Sequence, residues 1–143
     1  MKSIHILLVE DNEGDILLTT DALQEGKAAN KVSVIRDGEE ALDFLDQKRK
    51  FVGVEVPDLV LLDVNLPRKN GHEVLHYIKT NERLKHIPVI MLTTSSSDID
   101  IRNSYKNHAN CYITKPVESE SFLNVVKSIE NFWVGIVSLP SIR

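Results

Sequence analysis

The feature that most constrains the fold is a regular alternation of short apolar runs with longer amphipathic stretches. The apolar runs predict β-strands at Ile4–Val9, Val32–Arg36, Leu59–Asp63, Val89–Thr93 and Cys111–Thr114. The stretches between and after them predict helices at Gly14–Glu25, Glu39–Lys48, Gly71–Asn81, Asp98–Asn107 and Ser119–Trp133. Strands that alternate with helices form a parallel sheet with helices on both faces. The sequence therefore predicts an α/β domain with a doubly wound (βα)5 architecture.

The composition fits one ordinary domain and argues against several functions. The chain of 143 residues carries a net charge of −4 without a basic block, which argues against binding nucleic acid by phosphate neutralisation. Its single cysteine, Cys111, excludes an intrachain disulfide, and no apolar segment reaches the length of a membrane span. The N-terminal apolar run stops at Glu10, too early for a secretory signal. We therefore expect a cytoplasmic protein with no nucleic-acid or membrane partner.

Polar residues lie at the ends of four predicted strands. The first strand is followed by Glu10 and Asp11, the third ends at Asp63, the fourth ends at Thr93, and the fifth is followed by Lys115. In an open parallel sheet the carboxyl ends of the strands share one edge, and ligands bind beyond that edge. We therefore expect these five side chains to meet at one edge of the sheet.

The chemistry of these residues points to phosphoryl transfer. Neighbouring carboxylates repel one another, by about 4 kcal/mol per pair at roughly 4 Å in a medium of effective dielectric constant about 20. A Mg²⁺ ion would relieve this repulsion, because Mg²⁺ prefers oxygen ligands and is commonly held by carboxylates together with a phosphate. Lys115 and Thr93 would hold a phosphoryl group, and attack by Asp63 on phosphorus would give an aspartyl phosphate.

The same residues lie in motifs of a known family. The segments ILLVEDN, LLDVNLPRKNG, PVIMLTTS and YITKP resemble the receiver domains of two-component response regulators, along nearly the whole chain. The resemblance implies a flavodoxin-like sheet with strand order 2-1-3-4-5. It also implies that Asp63 accepts a phosphoryl group from a sensor histidine kinase. The protein would then be a phosphoacceptor that catalyses its own Mg²⁺-dependent phosphorylation and dephosphorylation, and no enzyme with a separate substrate.

The resemblance further implies a role for each residue around Asp63. Mg²⁺ would be bound by Asp63, by Glu10 and Asp11, and by the backbone carbonyl of Asn65. The phosphoryl group would contact the other two polar residues at the sheet edge, Thr93 and Lys115. The switch residues would be Thr93 and the aromatic Tyr112.

A closer resemblance concerns the segments NLPRKNGHEVL, SYKNHANCYITKP and FWVGIVSLP. They look like the stand-alone receivers that partner phytochrome-type histidine kinases, which implies a light signal as input. We expect a receiver domain over residues 1–133 and an apolar C-terminal extension over 134–143, with no output domain. The extension could fold back over its own domain, or it could join the face formed by the fourth helix, fifth strand and fifth helix in a homodimer.

The residues also leave alternative interpretations open. The segment HEVLH, His72 to His76, matches the H-E-x-x-H zinc pattern, but helical periodicity predicts that both histidines point to solvent. A phosphohydrolase of the haloacid dehalogenase type would carry a second aspartate where this chain has Asn65. A receiver-like module that never takes phosphate is a third possibility. Each acidic residue could also cap a helix or a turn, although capping does not explain why Thr93 and Lys115 lie at the ends of the next two strands.

Overall fold

The computed structural model describes residues 4–24, 30–115 and 124. The strands are β1 Ile4–Val9, β2 Asn30–Ile35, β3 Leu59–Leu62, β4 Val89–Thr93 and β5 Cys111–Thr114. The α-helices are α1 Glu13–Gln24, α2 Gly38–Leu45, α3 Gly71–Thr80 and α4 Asp98–Lys106, and a short 3-10 turn spans Arg49–Phe51. The predicted fifth helix, Ser119–Trp133, and the extension 134–143 lie outside the described residues.

The five strands form one parallel sheet in the order β2-β1-β3-β4-β5, which confirms the predicted fold class and strand order. Val9 of β1 is paired with Leu62 of β3, and Leu62 is paired with Met91 of β4. Because the strands are parallel and in this register, the residues that follow them all emerge at the same edge of the sheet. We call it the carboxyl edge.

Both faces of the sheet are buried, which explains why the strands are continuous apolar runs. In β1, Leu7 and Val9 belong to a core cluster that includes residues of α2 and α3, whereas Ile6 and Leu8 pack in a second cluster with Leu23 of α1. All four residues of β3 are buried. The helices therefore cover both faces, as the alternating pattern predicts.

Helix α4 is the most thinly packed of the described helices. Ser97 caps its N-terminus by accepting a hydrogen bond from the Asp100 N–H, and Ser104 is its only buried residue. Two of its large apolar side chains are largely exposed, Ile99 at 64% and Tyr105 at 50%. The weak apolar pattern of this segment is matched by weak burial, so a shift of α4 would expose little core surface.

The predicted element boundaries differ from the structure where local backbone geometry intervenes. Helix α2 ends at Leu45, earlier than the predicted Lys48, because Gln47 has a positive φ of 57° and cannot continue a right-handed helix. Strand β3 ends at Leu62, so Asp63 lies one residue beyond the strand. Among the described residues, no helix is long and apolar enough to span a membrane.

Candidate functional site

The carboxyl edge carries a buried cluster in which one ammonium group contacts three carboxylates. Lys115 Nζ donates hydrogen bonds to Glu10 Oε1, to Asp15 Oδ2 at 2.7 Å and to Asp63 Oδ2 at 3.2 Å. The side chains of Lys115, Glu10 and Asp63 are 2%, 3% and 7% exposed, and that of Asp15 is 24% exposed. Three of the predicted site residues therefore meet in one buried cluster, together with Asp15, which was not among the residues predicted from the sequence.

The backbone places these side chains by extending the strand pairing one residue beyond the strands. The N–H of Glu10 donates to the Ile35 carbonyl at 3.0 Å, and the N–H of Asp63 donates to the Val9 carbonyl at 3.1 Å. On the far side of the sheet, the N–H of Lys115 donates to the Thr93 carbonyl at 2.6 Å. These hydrogen bonds fix the positions of the residues that follow β1, β3 and β5, and the long lysine side chain reaches from the end of β5 to Glu10 at the end of β1.

Gly71, at the start of α3, closes the loop that follows Asp63 tightly against that aspartate. Its N–H donates to the Val64 carbonyl at 2.8 Å. A Cβ atom at this position would lie 2.1 Å from the carbonyl oxygen of Asp63, far closer than any real contact. A glycine is therefore required for the loop to pass this close to the aspartate.

The shared ammonium leaves the cluster under-neutralised. The pKa of Glu10 is raised to about 7, and burial is the largest cause. The hydrogen bond from Lys115 lowers this pKa, and the negative charge of Asp63 raises it further. Burial alone would lower the pKa of Lys115, but its hydrogen bonds to Asp15 and Glu10 raise the pKa above its ordinary value. Burial therefore dominates the Glu10 shift, whereas hydrogen bonds to carboxylates dominate the Lys115 shift.

The other predicted metal ligands, Asp11 and Asn65, do not join this cluster. Asp11 and Asn65 are exposed, and the Asn65 N–H donates to Asp63 Oδ1 at 3.1 Å. Within residues 4–24 and 30–115, no three His, Cys, Asp or Glu side chains are arranged to hold a metal ion. Lys115 contacts the Glu10 and Asp63 oxygens that would serve as ligands. The oxygen donors and the excess negative charge nevertheless fit a hard divalent cation in chemical type.

The predicted switch residues lie beside the cluster, on β4 and β5. Thr93 is fully buried, and its Oγ1 accepts a hydrogen bond from the Ser95 N–H at 3.3 Å. Tyr112 is half-buried, and its hydroxyl donates to the Ser95 carbonyl at 2.8 Å. Burial is the main reason that the pKa of Tyr112 is raised. Both residues therefore contact the segment that joins β4 to α4.

A polar contact that sequence reasoning missed joins α3 to α4. The prediction that both histidines of HEVLH point to solvent was wrong for His72, whose side chain is only 19% exposed and whose Nε2 lies 2.8 Å from Asp100 Oδ1. Asp100 also accepts a hydrogen bond from the Ser95 hydroxyl at 2.5 Å. These two hydrogen bonds hold the pKa of Asp100 below its ordinary value, the serine being the larger cause. His76 is exposed, as predicted.

The fold and the carboxyl edge together define the class of protein: a receiver-type α/β domain with a buried aspartate beside a lysine. The family model described as the response regulator receiver domain matches residues 6–127. The chain belongs to this family, and its function is that of a receiver in two-component signal transduction. Receiver domains bind a divalent metal and receive their signal from a histidine kinase.

Three relatives indicate the range of proteins that this chain resembles. Response regulator Rcp1 of Synechocystis sp. is 43% identical over 136 residues, which cover 95% of this chain and 92% of Rcp1. The probable methanogenesis regulatory protein FilR2 of Methanothrix harundinacea is 44% identical over 130 residues, 91% of this chain and 83% of FilR2. A crystal structure of the phosphorylated cyanobacterial phytochrome response regulator RcpA is 45% identical with a TM-score of 0.95, covering 98% of this chain and all of that one.

The Mn²⁺-bound crystal structure of Rcp1 is also similar to this chain. Its identity is 42% and its TM-score 0.94, with 96% of this chain and 99% of that chain covered. The resemblance inferred from the sequence is confirmed in that one similar structure, RcpA, is a phytochrome response regulator.

Proposed function

We propose that Asp63 is the phosphoacceptor and that it takes a phosphoryl group from a histidine kinase. The observation that carries this proposal is the position of Asp63, a carboxylate 6% exposed at the end of a wholly buried strand, with a lysine ammonium 3.2 Å away. Its Oδ1 is held by the Asn65 N–H and its Oδ2 by Lys115, so the carboxylate is oriented before the reaction. A new bond would form from a carboxylate oxygen to phosphorus as the bond from phosphorus to the donor nitrogen breaks.

We propose Mg²⁺ as the metal, bound by Glu10, Asp11 and Asp63 and by the backbone carbonyl of Asn65. When bound, the ion would neutralise the charge that develops on the phosphoryl oxygens. The excess of carboxylates over ammonium groups in the cluster supports a divalent ion here, and a relative binds Mn²⁺, which has similar ligand preferences.

Thr93 and Lys115 hold the phosphoryl group in this proposal, and Thr93 and Tyr112 carry the switch. A phosphoryl group on Asp63 carries roughly −1.5 to −2 charges in place of the single charge of the carboxylate, and its oxygens attract the lysine ammonium and the threonine hydroxyl. The Thr93 hydroxyl would then leave Ser95, whose carbonyl anchors Tyr112. The change would reach α4, the thinly packed helix, and alter the surface that binds partners.

The phosphate donor that we propose is a phytochrome-type histidine kinase in the cytoplasm. Its support is the similarity to RcpA, a phytochrome response regulator. FilR2, a probable methanogenesis regulatory protein, is equally similar, so phosphotransfer rates from a phytochrome kinase and from an unrelated kinase should be compared directly. We further propose that the protein has neither a nucleic-acid nor a membrane partner, which its net charge of −4 supports.

We propose that residues 1–133 form the receiver domain and that 134–143 extend it into a homodimer. The exposed Ile99 and Tyr105 on α4 supply apolar surface for a two-fold symmetric contact. Truncation after Phe132 should give a folded protein of smaller hydrodynamic mass at micromolar concentration. A full-length protein that sediments as a monomer with and without beryllofluoride would exclude the dimer.

The phosphoacceptor proposal is tested by incubating the protein with acetyl phosphate and Mg²⁺ and measuring its intact mass. The wild type should gain one phosphoryl group. The Asp63→Asn variant should remain folded and gain none, because an amide is nearly isosteric but a poor nucleophile. The exposed Asp21 on α1 provides a matched control, and Asp21→Asn should label like the wild type. Continued labelling of Asp63→Asn at the wild-type rate would show that another residue accepts the phosphate.

A further inference from the structure

Asp15 contacts the centre of the site, and neither the proposed function nor the family match assigns it a role. It lies in the first turn of α1, where its N–H donates to the Asn12 side-chain oxygen at 2.9 Å. This hydrogen bond fixes the backbone at the start of the helix and leaves the carboxylate free to reach across the carboxyl edge. The carboxylate lies 2.7 Å from Lys115 Nζ, closer than the 3.2 Å that separates Lys115 from Asp63.

The contact with Asp15 occupies one of the few hydrogen-bond donors on Lys115. A lysine ammonium has three N–H donors. In the structure it contacts three carboxylates, those of Glu10, Asp15 and Asp63. A phosphoryl oxygen on Asp63 can be bound by Lys115 only if one of these carboxylates gives up its hydrogen bond.

Asp15 is the carboxylate that can release the lysine at the lowest cost. Its side chain is 24% exposed, so water can solvate the charge once the hydrogen bond is broken. The Glu10 and Asp63 side chains are only 3% and 7% exposed, so water cannot take the place of the lysine at either of them. We propose that Asp15 is a positioning residue that holds the Lys115 ammonium in the resting state and exchanges it for a phosphoryl oxygen when the site is occupied.

This inference rests on the proposed function, because it assumes that Lys115 binds the phosphoryl group. It makes Asp15 a competitor of the phosphoryl group for one cation. Removing the negative charge of Asp15 should therefore favour occupation of the site. The effect should depend on charge and not on packing, since Asp15→Glu keeps the carboxylate.

The test uses the full chain and measures the apparent affinity for beryllofluoride by calorimetric titration in saturating Mg²⁺. Asp15→Asn should bind about 5-fold more tightly than the wild type, as expected for losing one partly exposed ion pair that competes with the ligand. Asp15→Glu should stay close to the wild type. Asp21→Asn makes the same charge change at an exposed position further along α1 and should also match the wild type.

The outcomes separate this inference from the function on which it rests. A wild-type protein that binds no beryllofluoride and takes no phosphoryl group from acetyl phosphate would overturn the proposed function. A wild type that binds, with Asp15→Asn indistinguishable from Asp21→Asn or weaker, would overturn only the role of Asp15. Tighter binding by Asp15→Glu as well as by Asp15→Asn would also overturn it, because charge would then not be the cause.

Discussion

Replacing Glu10 with glutamine should remove a pH-dependent cost of folding from the metal-free protein. Burial raises the pKa of Glu10 from 4.5 to about 7 in the folded chain. A carboxyl group with a higher pKa in the folded state binds its proton more tightly when folded than when unfolded. The stability that this proton contributes is therefore fully present below pH 4.5 and is lost as the pH rises through about 7.

The size of the effect follows from the same pKa values. A rise from 4.5 to about 7, at about 1.36 kcal/mol per pKa unit, corresponds to a loss of about 3 kcal/mol in the free energy of unfolding. Lys115 and Asp63 adjust when Glu10 loses its proton, so we expect about 2 kcal/mol to be observed. A glutamine cannot ionise, and its amide can still accept a hydrogen bond from Lys115 and donate one to Asp63.

The assay is urea unfolding in the presence of EDTA, repeated from about pH 5 to about pH 8.5. Glu10→Gln and the wild type should have similar stability near pH 5, and the variant should be about 2 kcal/mol more stable near pH 8.5. The control is Glu82→Gln, because the Glu82 side chain is 89% exposed and should leave the pH dependence unchanged. Parallel stability curves for the wild type and Glu10→Gln would refute the reasoning.

Two further predictions concern the loop after Asp63 and the contact between α3 and α4. Gly71→Ala should destabilise the protein by about 3 kcal/mol or more in urea unfolding, because the added Cβ would lie 2.1 Å from the Asp63 carbonyl oxygen. A loss of less than about 1 kcal/mol would contradict that packing. Asp100→Asn should cost about 1 kcal/mol at neutral pH and speed amide exchange at the start of α4. Hydrogen bonds from Ser95 and His72 lower the pKa of Asp100, so the wild type should be more stable than Asp100→Asn above pH 3.8 and should lose this extra stability as the pH falls below that value. Extra stability that persists at lower pH would count against the contact.

The sequence alone determined the architecture and most of the candidate site. The periodicity of the apolar residues predicts the strands and helices, because a parallel sheet covered on both faces needs continuous apolar strands. The carboxyl ends of parallel strands share one edge of the sheet. The polar residues at those ends are therefore enough to predict that Glu10, Asp63, Thr93 and Lys115 lie at that edge. The strand order itself came from the family resemblance and not from the residues.

Tertiary structure decided which of these polar groups touch. Lys115 contacts Asp15 across a separation of 100 residues, and His72 contacts Asp100 across 28. In the sequence, Asp15 reads as an acidic residue favoured at a helix N-terminus, and His72 reads as part of a solvent-facing helix surface. Periodicity and strand ends give the side of an element on which a residue lies, whereas hydrogen bonds and pKa values depend on distances of a few ångströms and on burial, which exist only once the helices have packed against the sheet.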